Sequence, residues 1–197
     1  MNRMTILAIA VLFSTSLNLS SLYAVKTIDR TFRVQPGGEL LVETDAGDVT
    51  LRGSATQEVK VHIEADRDLE GRIEFSFVQN GNRIEIYGKA EEKSILGFLK
   101  GRSFNGRLQI TIDAPQSFNP SVRTSGGDVD ASGIEGKTEL RTSGGDVSAA
   151  RMSGELSLHT SGGDIDAMDV NGPLTAFTSG GDVSAHGIIG ACTLTTS

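Results

Sequence analysis

One hexapeptide recurs four times in the C-terminal part of the chain at constant spacing. Thr-Ser-Gly-Gly-Asp followed by Val or Ile begins at residues 124, 142, 160 and 178, and Thr196-Ser197 begins a fifth copy. Four matches spaced 18 residues apart indicate a repeat architecture in which each unit packs against its neighbours. Such a short unit leaves no room for a helix of ordinary length, so it predicts two or three short strands joined by turns.

Within each repeat, apolar and polar side chains alternate, which is the period of a half-buried β-strand. Numbered from its Thr, the repeat has Val or Ile at position 6, Ala at 8, Ile, Met or Val at 11, Gly at 13, and mostly Leu at 15 and 17. We expect these positions to face inward and the Gly pair at positions 3 and 4 to lie in a turn. The sequence therefore predicts an all-β fold, a parallel β-solenoid (β-helix) with 18-residue coils and an irregular N-terminal β half.

A left-handed β-helix of three hexapeptides per turn would have the same repeat length but would require an aliphatic residue at every sixth position. Position 12 is instead Glu135, Ser153, Asn171 and Ile189, and position 18 is Arg141, His159, Phe177 and Thr195. The sequence therefore disfavours the hexapeptide class and its acyltransferases.

A degraded copy of the pattern precedes the repeats. Residues 40–51 match positions 15 to 8, but Thr44 lies 80 residues before Thr124, which is not a multiple of 18. We expect an excursion in between, with strands at residues 59–63, 73–77, 84–86 and 108–112 and a hairpin turn at 79–82. The segment 94–104 is expected to form a flap over the first coil, with a lid or a partner contact as the alternative.

The first 24 residues resemble a secretory leader. Arg3 supplies the positive charge, residues 6–13 form an apolar run, and Ala24 is a small residue suited to cleavage. The apolar run is too short for a membrane-spanning helix, which needs about 20 residues.

The sequence predicts a signal peptide at residues 1–24, an irregular β region at 25–123 that caps the solenoid, and the regular repeats at 124–197. It also predicts export to the periplasm, the cell surface or the exterior.

Composition excludes several classes of function. The formal net charge is −7, which argues against a nucleic-acid binder because phosphate neutralisation needs clustered Lys and Arg. A single cysteine excludes an intramolecular disulfide framework and a Cys-based zinc cluster. The sequence contains no nucleophile elbow, phosphate loop or dinucleotide fingerprint.

Position 5 of the repeat places a column of Asp residues in the predicted stack, at Asp128, Asp146, Asp164 and Asp182, with Asp48 as the degraded counterpart. Repulsion between stacked carboxylates must be offset. We expect each Asp to accept backbone N–H groups in its own Gly-Gly turn. Calcium binding is the alternative, and a loss of stability on chelation would support it.

Other reactive side chains fit structural roles better. His159 and His186 fall on different strands and His62 lies in the excursion, so a shared metal site is not expected. Cys192 occupies position 15, where Leu is common, and is expected to be buried. The Ser column at position 2 has no patterned His or Lys beside it. The sequence therefore predicts no catalytic residue, no metal and no cofactor.

These motifs resemble those of a known family. The exported start, Gly-Gly-Glu-Leu-Leu-Val-Glu-Thr-Asp-Ala-Gly-Asp-Val-Thr at 37–50, and the Thr-Ser-Gly-Gly-Asp-Val repeats resemble the bacterial "putative adhesin" family of β-strand-repeat proteins, a domain of unknown function. The resemblance implies a β-solenoid in the cell envelope or outside the cell, and it carries no catalytic residues.

The sequence favours a non-enzymatic, exported scaffold that binds an envelope polysaccharide or protein. The alternatives are a calcium-stabilised module and a carbohydrate-acting enzyme with its site near Asp66, Asp68, Glu91 and Glu92. We also expect self-association through an open C-terminal coil, or truncation of a longer protein, because an uncovered coil exposes unpaired backbone groups.

Overall fold

The computed structural model describes residues 26–66, 73–90 and 107–197. Within them the chain forms sixteen β-strands and no helix. The strands are β1 Lys26–Arg33, β2 Gly38–Thr44, β3 Asp48–Ser54, β4 Glu58–Ala65, β5 Ile73–Asn80, β6 Arg83–Ala90, β7 Leu108–Pro115, β8 Phe118–Thr124, β9 Val129–Ser132, β10 Thr138–Arg141, β11 Val147–Ser153, β12 Leu156–Thr160, β13 Ile165–Asn171, β14 Leu174–Thr178, β15 Val183–Ile189 and β16 Cys192–Thr196. The predicted leader and the segment 94–104 lie outside the described residues.

These strands form two mixed sheets of eight strands each. Sheet A has the order β1-β4-β7-β3-β9-β11-β13-β15, and sheet B has the order β16-β14-β12-β10-β8-β2-β6-β5. Three pairs are antiparallel, β1 with β4, β4 with β7 and β5 with β6. All three belong to the N-terminal part, whereas the strands of the repeats pair in parallel.

Each repeat contributes one strand to each sheet, and equivalent positions pair with one another. In sheet A, Val147 lies between Val129 and Ile165, and in sheet B, Leu158 lies between Leu140 and Ala176. The inward side chains form buried columns between the sheets because alternation sends every second residue to the same face. The buried columns comprise Val129, Val147, Ile165, Ala131, Ala149, Ala167, Ile134, Met152, Val170, Leu140, Leu158 and Ala176.

The degraded copy joins the same sheets in the register that the sequence predicts. Thr44 pairs with Thr124 and Val49 pairs with Val129, although the two residues of each pair lie 80 positions apart in the chain. The excursion lies on the other side of β2 and β3, where β6 and β5 extend sheet B and β7, β4 and β1 extend sheet A. The predicted hairpin is confirmed, because β5 and β6 pair from Asn80 and Arg83 outward.

The glycine at position 13 does not continue the strand, contrary to the prediction from alternation. Gly154 lies between β11 and β12 with a φ of 102°, and a Cβ there would lie 2.6 Å from the carbonyl oxygen of Gly136. Successive repeats approach each other too closely at this turn to admit a side chain. Glycine recurs at position 13 for that steric reason and not because it fills the interior.

Position 10 adopts the left-handed backbone conformation in every repeat. Gly133 and Gly187 occupy it in the first and last repeats, with φ of 71° and 68°, whereas Arg151 and Asp169 have φ of 53° and 56°. The ladder of hydrogen-bonded partners skips this residue, since Ala150 and Met152 pair with Met168 and Val170. The skipped residue explains why the inward positions 8 and 11 are three residues apart, whereas 6 and 8, or 15 and 17, are two apart.

We expect Arg151→Gly to raise the free energy of unfolding by about 1 kcal/mol, because glycine removes the steric cost of a side chain at positive φ. Arg141→Gly is the matched control in an ordinary strand, and it should lower stability because glycine weakens strand interiors. Denaturant unfolding measures both. Equal losses in the two variants would show that Arg151 is not strained.

Candidate functional site

The repeated hexapeptide forms the corner at which each repeat crosses from sheet B to sheet A. Its Thr is buried: the Oγ1 of Thr160 donates to the carbonyl oxygen of Gly145 in the preceding repeat at 2.7 Å and accepts from the N–H of Gly163 at 3.3 Å. The same inter-repeat bond is donated by Thr124, Thr142, Thr178 and Thr196. The Thr column therefore joins successive corners.

The Asp column forms a second ladder, and here the prediction of bonding within each turn is wrong. The Oδ1 of Asp146 accepts the backbone N–H of Asp164 in the next repeat at 2.7 Å. The same contact runs from Asp48 to Asp128, from Asp128 to Asp146 and from Asp164 to Asp182. The carboxylate reaches the next repeat because the glycine before each repeat Asp has no side chain, which lets successive corners approach each other closely. The carboxylates of Asp48, Asp128, Asp146 and Asp164 are therefore each stabilised by one backbone N–H.

The residues considered for catalysis do not form a cluster in the described part of the chain. The Oδ2 of Asp66 accepts the backbone N–H of Arg107 at 2.9 Å, so it fastens the end of β4 to the start of β7. Asp68, Glu91 and Glu92 lie outside the described residues. Among residues 26–66, 73–90 and 107–197, no group of three or more His, Cys, Asp or Glu side chains is placed to hold a metal ion.

Cys192 is exposed, which corrects the prediction that it is buried. It occupies the inward position 15 but belongs to β16, an edge strand of sheet B, and no described strand covers it. The position-2 residues Ser125, Ser143, Ser161 and Ser179 are also exposed. His159 and His186 lie on different strands as predicted, His159 on β12 of sheet B and His186 on β15 of sheet A.

His159 packs against an aromatic ring on the outer face of sheet B. Its imidazole stacks on the ring of Phe177 with a centroid separation of 5.0 Å. Burial, and then the charge of Arg141, lowers the pKa of His159 below its ordinary value. The neutral imidazole is therefore favoured, and the pair forms a short apolar strip on a polar face.

His62 bridges two carboxylates on the outer face of sheet A, a contact that no pattern in the sequence predicts. Its Nδ1 lies 2.6 Å from Asp29 Oδ1 on β1, and its Nε2 lies 3.0 Å from Glu64 Oε1 on β4. The side-chain hydrogen bonds with Asp29 and then Glu64 raise the pKa of His62. Only the antiparallel register of β1 with β4 places His62 beside Asp29, so the sequence alone could not show it.

We expect His62 to make stability depend on pH. Because its pKa is raised in the folded state, its contribution is complete below the pKa of the unfolded chain and is lost as the pH rises through the folded-state pKa. The Tm difference between the native chain and His62→Gln should be larger at about pH 5.5 than at about pH 8.5. A difference that does not change with pH would contradict the bridging role. Exposed His186→Gln is the control.

The outer face of sheet B carries ion pairs between neighbouring strands. Arg83 bonds Glu39 on β2 through Nη1 and Glu85 on its own strand through Nε, both at 2.6 Å. The Arg83 bond, followed by that of Tyr87, lowers the pKa of Glu85. Further pairs join Arg123 to Glu139 and Lys137 to Glu155, each at 3.0 Å. This face is therefore polar, with most of its charges paired.

A groove lies at one end of the N-terminal part, where three connections meet. It has a volume of about 850 Å³ and is lined by residues of the β1–β2 and β3–β4 loops and of the β5–β6 turn. Loops held by a rigid scaffold commonly carry binding function. The sequence predicts the β5–β6 turn, but it does not show that the three connections meet.

Comparison with known proteins adds the family. A family model described as Toastrack DUF4097 matches residues 38–171, which is more than half of the chain. The chain belongs to the Toastrack DUF4097 family. The Toastrack match begins at the first residue of β2 and ends at the last residue of β13, so it includes the degraded copy, the excursion and three copies of the hexapeptide. No curated protein matches the chain.

Solved structures show distant similarity to this Toastrack chain. One, titled a "putative cell adhesion protein" from Clostridium sporogenes, is 13% identical with a TM-score of 0.40, and the match covers 87% of this chain and 100% of the other. A "putative adhesin" from Bacteroides fragilis is 15% identical with a TM-score of 0.35, covering 86% and 97%. A "putative lipid binding protein" from Parabacteroides distasonis is 12% identical with a TM-score of 0.32, covering 87% and 96%.

Within residues 26–66, 73–90 and 107–197, no helix is long and apolar enough to cross a membrane.

Proposed function

We propose that this Toastrack DUF4097 protein is an exported, non-enzymatic scaffold of the cell envelope whose repeats form a parallel β-solenoid. The observation that carries the proposal is the alignment of outward side chains into straight rows across parallel strands. In sheet B, one row runs through Arg123, Arg141, His159 and Phe177. A surface that repeats with every strand, about 4.8 Å apart, suits a repetitive polymer or an extended protein.

The second sheet supports the same function. Asp130, Ser148 and Asp166 form an outward row on sheet A, and burial raises the pKa of Asp130 although Ser148 hydrogen-bonds it. A shallow cavity of about 200 Å³ lies along this row. Two wide polar faces with small depressions are typical of surfaces that bind extended ligands rather than of enclosed active sites.

The arrangement of the reactive side chains favours binding over catalysis. A nucleophilic Ser needs a base within hydrogen-bonding reach, and in the described part of the chain none of the four position-2 serines bonds a His or a Lys. The Asp66 carboxylate is engaged by the backbone of Arg107. We therefore propose that the protein binds envelope polysaccharide or protein without transforming it.

Two experiments test this proposal. Fractionation of cells that produce the tagged chain should recover it, without its leader, in the periplasm, on the surface or in the medium. Incubation of the purified chain with a panel of bacterial polysaccharides should give binding without release of reducing ends. Retention in the cytoplasm, or steady release of sugars above that of a heat-denatured control, would overturn the proposal.

We further propose that purified residues 25–197 associate through β15 and β16, the edge strands of sheets A and B. Ile189 is 70% exposed and Leu194 is 44% exposed, and exposed edges with apolar side chains promote pairing. Sedimentation velocity should show that the mass of the particles increases with protein concentration. A double variant with Ile189→Lys and Leu194→Lys should abolish this increase. Met168→Lys is the control, because Met168 is 47% exposed but lies on the interior strand β13. A monomer at all concentrations would contradict this contact.

A further inference from the structure

We propose that the groove between the β1–β2 loop, the β3–β4 loop and the β5–β6 turn binds an oligosaccharide that carries a carboxylate. This inference rests on the proposed binding function and names the site and the ligand chemistry. The groove is lined by Arg33, Val34, Gln35, Thr56, Gln57, Glu58, Gly81 and Asn82. Its volume of about 850 Å³ falls within the range of small-ligand sites.

The walls of the groove are held in place by side-chain amides. The Oδ1 of Asn82 accepts the backbone N–H of Gln35 at 2.7 Å, and its Nδ2 donates to the carbonyl oxygen of Gln35 at 3.1 Å. Gln79 donates from Nε2 to the carbonyl oxygen of Arg33 at 2.8 Å. The β5–β6 turn is therefore fixed to the β1–β2 loop.

The third connection is joined by backbone bonding. The N–H of Val34 donates to the carbonyl oxygen of Gln57 at 3.1 Å, and that of Glu39 donates to the carbonyl oxygen of Asn82 at the same distance. All three connections thus belong to one hydrogen-bonded unit. A groove that is formed before its ligand arrives loses less entropy on binding.

The polar groups that remain available match a sugar. The side-chain amides of Gln35 and Gln57 are exposed and make no hydrogen bond within the described ranges, and the Thr56 hydroxyl has one partner, Ser54, at 2.8 Å. An amide offers donors and an acceptor at one end of a short chain, as adjacent sugar hydroxyls require. The described lining contains no aromatic ring, so recognition here relies on hydrogen bonds.

The positive charge of Arg33 in the groove favours a ligand that carries a carboxylate. The guanidinium of Arg33 makes no ion pair with any described residue, whereas Glu58 lies 3.4 Å from Lys60, which offsets its charge. In the described lining one guanidinium is therefore uncompensated, and it binds a carboxylate through two parallel hydrogen bonds. The chain as a whole has a formal charge of −7, which repels densely charged polymers. A short oligosaccharide with sparse carboxylates therefore fits better than a polyanion.

The experiment measures the binding of a galacturonate trimer to the chain by calorimetry, with maltotriose as the neutral probe and glucose 6-phosphate as the phosphate probe. The trimer should bind, and Arg33→Gln should weaken it by about tenfold or more, as expected for loss of a charged hydrogen-bonded partner. Gln57→Ala should weaken both the trimer and any residual binding of maltotriose. Arg151→Gln is the control, because Arg151 is also exposed and unpaired among the described residues but lies on β11, outside the groove and outside the outward rows of the two sheets.

Each outcome decides the proposal. Binding of maltotriose as tight as that of the trimer, or an Arg33→Gln variant that binds normally, would overturn carboxylate recognition. Tighter binding of glucose 6-phosphate would overturn it in favour of a sugar phosphate. Failure of every probe would overturn the groove as a sugar site, while binding of the chain to envelope polysaccharides would leave the proposed function standing. Unchanged Tm values for the variants show that the effects are local.

Discussion

Gly163→Ala is expected to lower the free energy of unfolding by about 3 kcal/mol, and Tm by about 10 °C. Gly163 is the second glycine of its pair and is buried. A Cβ there would lie within 3.0 Å of the carbonyl oxygen of Gly145 and of Asp146 Oδ1. Both atoms belong to the inter-repeat ladders, so neither can move without breaking hydrogen bonds.

The first glycine of the same pair provides the control. A Cβ at Gly162 would meet its nearest atoms at 3.5 Å, an ordinary van der Waals contact, so Gly162→Ala should change stability by less than about 1 kcal/mol. Thermal unfolding followed by circular dichroism measures both variants. Equal Tm values for the two would mean that the repeats do not approach each other at the second glycine, and the ladder described here would be wrong.

Val147→Asn is expected to lower the free energy of unfolding by about 4 kcal/mol, because a buried amide without partners retains its desolvation cost. Val147 has no exposed surface and lies between Val129 and Ile165. Its neighbour Ser148 faces outward, so Ser148→Asn should cost less than about 1 kcal/mol. The neutral Asn is used at both positions because Ser148 lies between Asp130 and Asp166, where a third carboxylate would be repelled. Similar losses in denaturant unfolding would contradict the inward assignment.

The repeat register could be predicted from the sequence because it depends on alternation, which the residues display directly. Val147 and Ala149 alternate with polar neighbours, and the structure buries both. The pairing of Thr44 with Thr124 could also be predicted, since the degraded copy keeps the same order of apolar positions. In such cases one strand's pattern carries the information, and no knowledge of the neighbouring strand is needed.

Contacts between repeats could not be predicted in the same way. The Asp146 carboxylate could accept an N–H of its own turn or one of the next repeat. Because the repeats share the same hexapeptide, the sequence does not distinguish these two partners. Position 13 continues the alternation in the sequence but lies in a turn in the structure. The close approach of Gly154 to Gly136 involves two repeats, so the sequence of one repeat does not show it. Analogy with Leu174 predicts that Cys192 is buried, yet Cys192 is exposed because it lies on an edge strand.

The candidate sites depend on register between distant strands. His62 and Asp29 are 33 residues apart and meet only because β1 runs antiparallel to β4. Asn82 and Gln35 are 47 residues apart, and their contact forms the groove only when three connections converge. Single polar residues in loops give no periodic signal, so neither site was visible in the sequence.

The most direct test of the scaffold proposal is co-sedimentation of purified residues 25–197 with envelope fragments of the source bacterium. The proposal predicts that the folded chain pellets with the fragments in a saturable manner and that the fragments release no soluble sugar or peptide. Gly162→Ala should pellet equally well, whereas Gly163→Ala should lose saturable binding at a temperature between the two Tm values, where only Gly163→Ala is unfolded. A folded chain that stays in the supernatant at every fragment concentration, or that releases products with time, would contradict the proposal.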